Sequence, residues 1–298
     1  MKPRAVRADT YNMVRGMYTA TSGMLAQQHR LDAIANNLAN VDTVGYKRDV
    51  SVQKAFPELL IRRLNDDVVR TPPPGWPLGS VDVAPVVGTL GTGVEQNEVF
   101  TVFEQGVVVQ TDNAFDVAIN GEGFLVVQTP DGERLTRSGN FQVGPEGLLV
   151  TQQGFPVLGE DGNPIPVTLN NFRIDEAGRV LANQAFLDQP GRPVQEREND
   201  WLETVEVARL RIVDVNQRRY LQKQGENLYR ETPDSGPATD LLGTERPAVL
   251  QGFIEKANVN PVTELVRMIE VQRSYEANQR VIQSHDEATG RLLAAVRR

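Results

Sequence analysis

The chain has 298 residues, with 31 Lys and Arg against 39 Asp and Glu, a formal charge of −8. No Lys/Arg-rich stripe stands out from that acidic balance, which argues against nucleic acid as a partner. Cysteine is absent, excluding disulfides and thiol chemistry, and no apolar run approaches the roughly 18 residues of a membrane span, so no membrane insertion is expected.

The start, 1–12, is basic but is not followed by an apolar core, so a cleavable secretory signal is not expected. This segment reads as an N-terminal extension, with Met13 as the alternative start. One long amphipathic helix follows. Its seam runs through Met17, Thr21, Met24, Gln28, Leu31, Ala35 and Leu38, a heptad-like spacing widened by Leu25, Ile34 and Val41. The seam is poor in large residues, so the helix buries little alone and needs a partner. It ends in a polar turn that holds Asn40 and Gly45. Asn36, Asn37 and Asn40 have two readings: Asn suits helix ends, and amides in a tight bundle can fix register between helices.

Beyond Lys47 lies an apolar cluster of Phe56, Leu59, Leu60 and Ile61. Pro57 argues against one unbroken helix, and a short helix is expected after it. Thr71-Pro72-Pro73-Pro74-Gly75-Trp76-Pro77 is the strongest breaker, either a solvated linker or an extended strut anchored by Trp76. Gly88 to Val94 is glycine-rich but leads into strand-like residues, not a helix, so it does not read as a phosphate loop.

From Asp116 to Tyr229 the pattern is all-β. Turn signals recur at Asn120-Gly121, Asp131-Gly132, Ser138-Gly139-Asn140, Gly144 to Gly147, Asp161-Gly162-Asn163 and Glu176-Ala177-Gly178, as in a hairpin-built sandwich or barrel. Arg192 to Trp201 reads as a charged loop, and Val205 to Ile212 as a half-buried strand. A turn-rich return leads to a second long helix. Asn260 is placed to cap it and Pro261 suits its first position. Leu265, Met268, Gln272, Tyr275, Gln279, Ile282, Asp286, Thr289, Leu293 and Val296 form its seam, flanked by Val262, Ile269 and Leu292.

The expected fold class is thus α+β, with long N- and C-terminal helices paired as a coiled-coil-like inner domain and a hairpin-rich all-β outer domain inserted between them. The segments are an extension (1–12), the N-terminal axial helix and following segment (13–63), a Pro/Gly-rich linker and extended segment (64–110), the all-β domain (111–230), a return linker (231–260) and the C-terminal axial helix (261–298).

No metal or cofactor motif occurs, and no catalytic set can be named. The two histidines, His29 and His285, sit one in each helix and would approach each other if the helices pair, yet lack further ligands. Asp112, Asp116 and Glu122 cluster in sequence, as a glycoside-cleaving carboxylate pair would, but their strand-and-turn context accounts for them without catalysis. No enzyme activity is expected.

Three separated blocks carry a resemblance. They are Gly16 to Met24 with Ile34 to Val41 and Gly45-Tyr46-Lys47-Arg48; Asp116 to Phe124; and Glu255 to Val262 with Met268-Ile269 and Gln272 to Asn278. In order and spacing they resemble the bacterial flagellar basal-body rod and hook axial protein family, of the FlgF and FlgG type. The resemblance implies a structural subunit of the periplasm-spanning rod, stacking helically as part of the drive shaft for motility. Its partners would be copies of itself and other axial proteins, after passage through the flagellar type III export apparatus without a cleavable signal. No cofactor is implied. The assembly interface would hold Met17, Thr21, Met24, Gln28, Leu31, Ile34, Asn36, Asn37, Leu38, Asn40, Leu265, Met268, Ile269, Gln272, Tyr275, Gln279, Ile282 and Leu293. Both ends are expected to be largely disordered before assembly, because their thin seams do not offset the entropy of ordering. The Pro156-Val157-Leu158-Gly159 stretch points towards a proximal rod component, and the long insert between Arg63 and Gly93 towards a distal one. The competing reading is a secreted or surface β-domain binding module, oligomerised by terminal coiled-coil helices.

Overall fold

The computed structural model describes residues 6–62, 86–167, 172–183, 204–225, 227–243 and 246–296. The Pro72–Pro74 segment, Trp76 and the charged loop 192–201 lie outside the described residues. The protein is α+β, and it divides into two compact units. One comprises residues 1–33, 51–99 and 266–298, the other 34–50 and 100–265.

The first unit is built on two long helices. Helix α1 spans Val6–Ala39 (34 residues), and the polar Asn40 ends it as its sequence suggests. Between the helices the chain forms β1 (Asp49–Ala55), β2 (Leu59–Arg62), β3 (Val86–Leu90) and β4 (Val94–Thr101), of which β1 pairs with β4 and β2 with β3. The expected short helix after Pro57 is therefore a strand. A run as short as Leu59-Leu60-Ile61 carries no usable period, and pairing with β3, Leu59 opposite Leu90, decides its conformation.

The second helix, α2, spans Pro261–Val296 (36 residues). Asn260 caps it as expected: its Oδ1 accepts from the backbone N–H of Val262 (3.1 Å) and Thr263 (3.2 Å). Both terminal segments are helical in this structure. The inward face of α1 carries small residues such as Gly16, Ala20 and Gly23, and large apolar residues of both helices, among them Tyr18, Leu25, Leu265 and Ile269, are exposed.

The second unit is the β region. Its strands are β5 (Val108–Gln110), β6 (Val117–Asn120), β7 (Phe124–Thr129), β8 (Gly132–Thr136), β9 (Phe141–Val143), β10 (Leu149–Thr151), β11 (Phe172–Ile174) and β12 (Arg179–Asn183). They are followed by β13 (Thr204–Arg209), β14 (Ile212–Asp214), β15 (Gln222–Lys223), β16 (Leu228–Arg230), β17 (Thr239–Asp240), β18 (Ala248–Gln251) and β19 (Phe253–Glu255). The largest sheet has six strands in the order β15-β16-β8-β7-β14-β17. A three-stranded sheet, β11-β12-β13, stands apart from it, and β18 and β19 return to pair with β6 and β5.

Strand β7 explains the core. Its side chains alternate, and both of its faces are covered. Leu125 and Val127 point into a cluster with Leu149, Val157, Ile165 and Leu210. Phe124 and Val126 point into a second cluster with Leu135, Val213 and Tyr229. A strand buried on both sides reads as a continuous apolar run, as Phe124-Leu125-Val126-Val127 does. The Asp131-Gly132 turn closes the β7–β8 hairpin with Thr129 opposite Gly132.

Candidate assembly site

The helices of the first unit approach each other where α1 is narrowest. A Cβ added at Gly16 would stand 2.6 Å from Nε2 of His285, and one at Gly23 would stand 3.0 Å from Nδ2 of Asn278. The two contacts step by seven residues in opposite directions, so the helices run antiparallel there. Ala20 and Ala26 are also buried on α1, and Val271 on α2.

The inward stripe therefore lies one residue ahead of the seam read from large side chains. On α1, Gly16, Ala20, Gly23 and Gln27 take the places expected of Met17, Thr21, Met24 and Gln28. On α2, Val271, Asn278 and His285 lie at the inward positions rather than Gln272, Gln279 and Asp286, and Met268, Tyr275, Ile282 and Thr289 are half-buried. The physical reason is distance: glycine and alanine let two backbones close to contact, so the smallest residues face the neighbour. His285 consequently sits against Gly16. His29 lies thirteen positions further along α1, about 20 Å away at the helical rise, and is exposed.

Of the residues expected at the assembly interface, Met17, Thr21, Gln28, Asn36, Leu265, Ile269, Gln272, Gln279 and Leu293 are exposed. Met24, Leu31, Leu38, Asn40, Met268, Tyr275 and Ile282 are half-buried, while Ile34 and Asn37 are buried within the chain itself. The exposed apolar positions concentrate on α2. Val262, Leu265, Val266 and Ile269, at 68, 46, 52 and 50% exposure, follow the spacing i, i+3, i+4, i+7 and form one partly exposed ridge. Met17, Tyr18 and Leu25 are the corresponding exposed residues of α1.

The last turns of α1 and the first turn of α2 belong to the second unit, and a buried polar node fixes them there. Asn37 is committed inside the chain: its Oδ1 accepts from the Asp49 backbone N–H (2.8 Å) and the Tyr46 hydroxyl (3.1 Å), and its Nδ2 donates to the Asp49 carbonyl (2.8 Å). Next to it, the Lys47 ammonium donates to the Glu255 carboxylate and to the Glu104 carbonyl (2.7 Å). Lys47 and Glu255 are 208 residues apart in sequence and both essentially buried, at 0 and 1% side-chain exposure. The same carboxylate accepts from the Gly106 N–H (2.8 Å), and the Arg137 guanidinium lies 3.7 Å from its other oxygen. Burial pushes the Lys47 ammonium and the Arg137 guanidinium below their ordinary pKa values, against the pull of Glu255. Lys223 sits 3.8 Å over the Tyr46 ring and donates to Asp49 (3.0 Å).

Sequence reasoning missed this node. Lys47 and Glu255 were visible only as parts of motifs, Arg137 was not singled out, and a pairing over 208 residues leaves no local periodicity. The carboxylates considered for catalysis have structural partners. Asp116 accepts from Thr111 (2.6 Å) and Asn113 (3.2 Å), and Glu122 pairs with Arg218 (2.6 Å). Among the described residues no group of acidic or histidine side chains could hold a metal ion, and no helix is long and apolar enough to cross a membrane.

Three family models match the chain in order. "Flagella basal body rod protein" covers residues 17–47, "Flagellar hook protein FlgE/F/G D1 domain" residues 118–182, and "Flagellar basal body rod FlgEFG protein C-terminal" residues 250–295. Each matched region supplies one charged member of the node: Lys47, Arg137 and Glu255. Among relatives, the flagellar basal-body rod protein FlgG of Buchnera aphidicola subsp. Schizaphis graminum is 34% identical over 94% of this chain and 99% of its own length. FlgG of Caulobacter vibrioides is 32% identical over 92% of this chain and 96% of its own length. FlgF of Caulobacter vibrioides is 33% identical over 89% and 91%. With both helices, the β region and all three matched blocks accounted for, the chain belongs to the flagellar basal-body rod proteins of the FlgF and FlgG type and is a structural subunit of the flagellar basal body.

Proposed function

We propose that copies of this chain stack helically into the rod through the outward faces of α1 and α2, with the terminal helices as a coiled-coil-like inner domain and the inserted β domain outside. The observation that carries this reading is the α2 ridge of Val262, Leu265, Val266 and Ile269. Four large apolar side chains on successive turns stay about half exposed in the single chain, although burying the exposed part of each would contribute roughly 1 kcal/mol. A heterologous contact between unlike faces does not close, and so it builds a fibre rather than a ring. The proposed contact set keeps the exposed Met17, Thr21, Gln28, Asn36, Leu265, Ile269, Gln272, Gln279 and Leu293. The remaining partners are other axial proteins and the type III export apparatus, and the chain performs no catalysis. The six sequence segments given above stand as the proposed domain division.

The exposed ridge gives a cleaner test than the half-buried Leu38 or Ile282, because a charge placed there disturbs nothing inside the monomer. Ile269→Asp is expected to leave the monomer melting temperature within a few degrees of the parent. It should also abolish both sedimenting fibres in vitro and complementation of motility. A variant that still assembles, or a parent chain that forms only a closed particle of fixed mass, overturns this reading. The closed particle would favour a binding module oligomerised by its helices.

A further inference from the structure

Within the second unit, the segment after α1 and the segment before α2 are tied by more than the ion pair. The Gly45 N–H donates to the Glu255 carbonyl (2.7 Å), and the Asn258 N–H to the Tyr46 carbonyl (3.3 Å). The Asn258 side chain accepts from the Arg48 N–H (2.8 Å) and donates to the Val102 (2.8 Å) and Glu104 (3.1 Å) carbonyls. The charge arrangement is asymmetric. Lys47 and Arg137 both face the node, and Glu255 is the carboxylate that reaches both. Burying an ammonium without its partner costs far more than burying the pair, so residues 45–49 cannot close over Lys47 until Glu255 is present. During synthesis Lys47 is made 208 residues before Glu255.

We propose that Glu255 is a completion latch: the segment 45–49, and with it the root of α1, becomes fixed only when the tail segment 255–258 has docked. An incomplete or unlatched chain then has no fixed root for α1 and does not add to a growing rod. That last consequence rests on the rod reading; the latch itself is a property of the single chain.

Amide hydrogen exchange by mass spectrometry on full-length monomer tests it. In Glu255→Gln, peptides covering 40–50 are expected to exchange at least ten times faster than in the parent, while peptides covering 117–151 keep their rates. Adding Lys47→Met to Glu255→Gln removes the uncompensated ammonium and is expected to recover most of the lost protection over 40–50. Unchanged exchange over 40–50 in Glu255→Gln, or no recovery in the double variant, overturns the latch. Should Glu255→Gln not fold, Asn258→Ala decides, since it loosens the tail and spares the ion pair. Because Asn258 itself accepts from the Arg48 N–H, faster exchange over 40–47 with 117–151 unchanged supports the latch, and exchange confined to Arg48 and the tail overturns it. Incorporation of the parent chain into basal bodies tests the rod reading separately, whatever the exchange result.

Discussion

Gly23 faces the Asn278 carboxamide so closely that a side chain at 23 would begin 3.0 Å from its nitrogen. The contact is with the mobile end of a side chain, so alanine and a large residue should behave differently. Gly23→Ala is expected to be neutral or to stabilise α1 by up to about 1 kcal/mol, because alanine is the better helix former. Gly23→Leu must force α1 away from α2, and is expected to cost about 1–3 kcal/mol by overpacking. Thermal unfolding followed by circular dichroism separates the two.

Gly45 is constrained in another way. Its φ is +69°, and an added Cβ would stand 2.5 Å from the backbone of Arg137 and Ser138. Left-handed strain alone costs roughly 1–2 kcal/mol for an L-residue, and the clash is with backbone that cannot swing aside. Gly45→Ala is expected to lower the urea midpoint by at least 2 kcal/mol equivalent, about the scale of a buried core truncation.

Asn37 satisfies both backbone groups of Asp49 and the Tyr46 hydroxyl. Asn37→Leu fills similar space but leaves all three groups without that partner. The expected loss is about 2–4 kcal/mol, with the urea slope unchanged, since each abandoned buried group costs about 1–3 kcal/mol.

The phenols of Tyr46 and Tyr229 are pushed well above their ordinary pKa, first by burial and then by the negative charge of Asp49. A group that holds its proton more tightly when folded contributes stability that is whole below the unfolded value near pH 10 and is lost as pH rises beyond it. Lys47 and Lys223, lowered by burial, act in the opposite direction, so the comparison must be between variants. The Tyr229 hydroxyl meets no hydrogen-bonding partner among the described residues. Tyr229→Phe is therefore expected to match the parent at pH 8 within about 1 kcal/mol, and to lose less stability between about pH 10 and 12. In parallel, absorbance near 295 nm should show Tyr46 and Tyr229 ionising only as the parent unfolds.

Particular residues mark where the sequence was legible. Asn260 and Pro261 located the start of α2 because capping is local chemistry read within three residues. The continuous run in β7 and the turn at Asp131-Gly132 were legible for the same reason. The helix seam was read one position late, because apolar periodicity follows large side chains whereas close helix approach follows the small ones at 16, 20 and 23. Leu59 to Ile61 were misread because strand pairing with β3, set by residues nearly thirty positions away, chose their conformation. The Lys47–Glu255 pair was invisible for a stronger version of that reason: only the finished topology brings the two together.

The six-stranded sheet ends on both sides in strands of two residues, β15 and β17. Such stubs offer a stranger's backbone too few free N–H and C=O groups to template further pairing. This sheet is thus closed to amyloid-like addition, and under the stacking proposed above growth would rest on side-chain recognition along the two terminal helices.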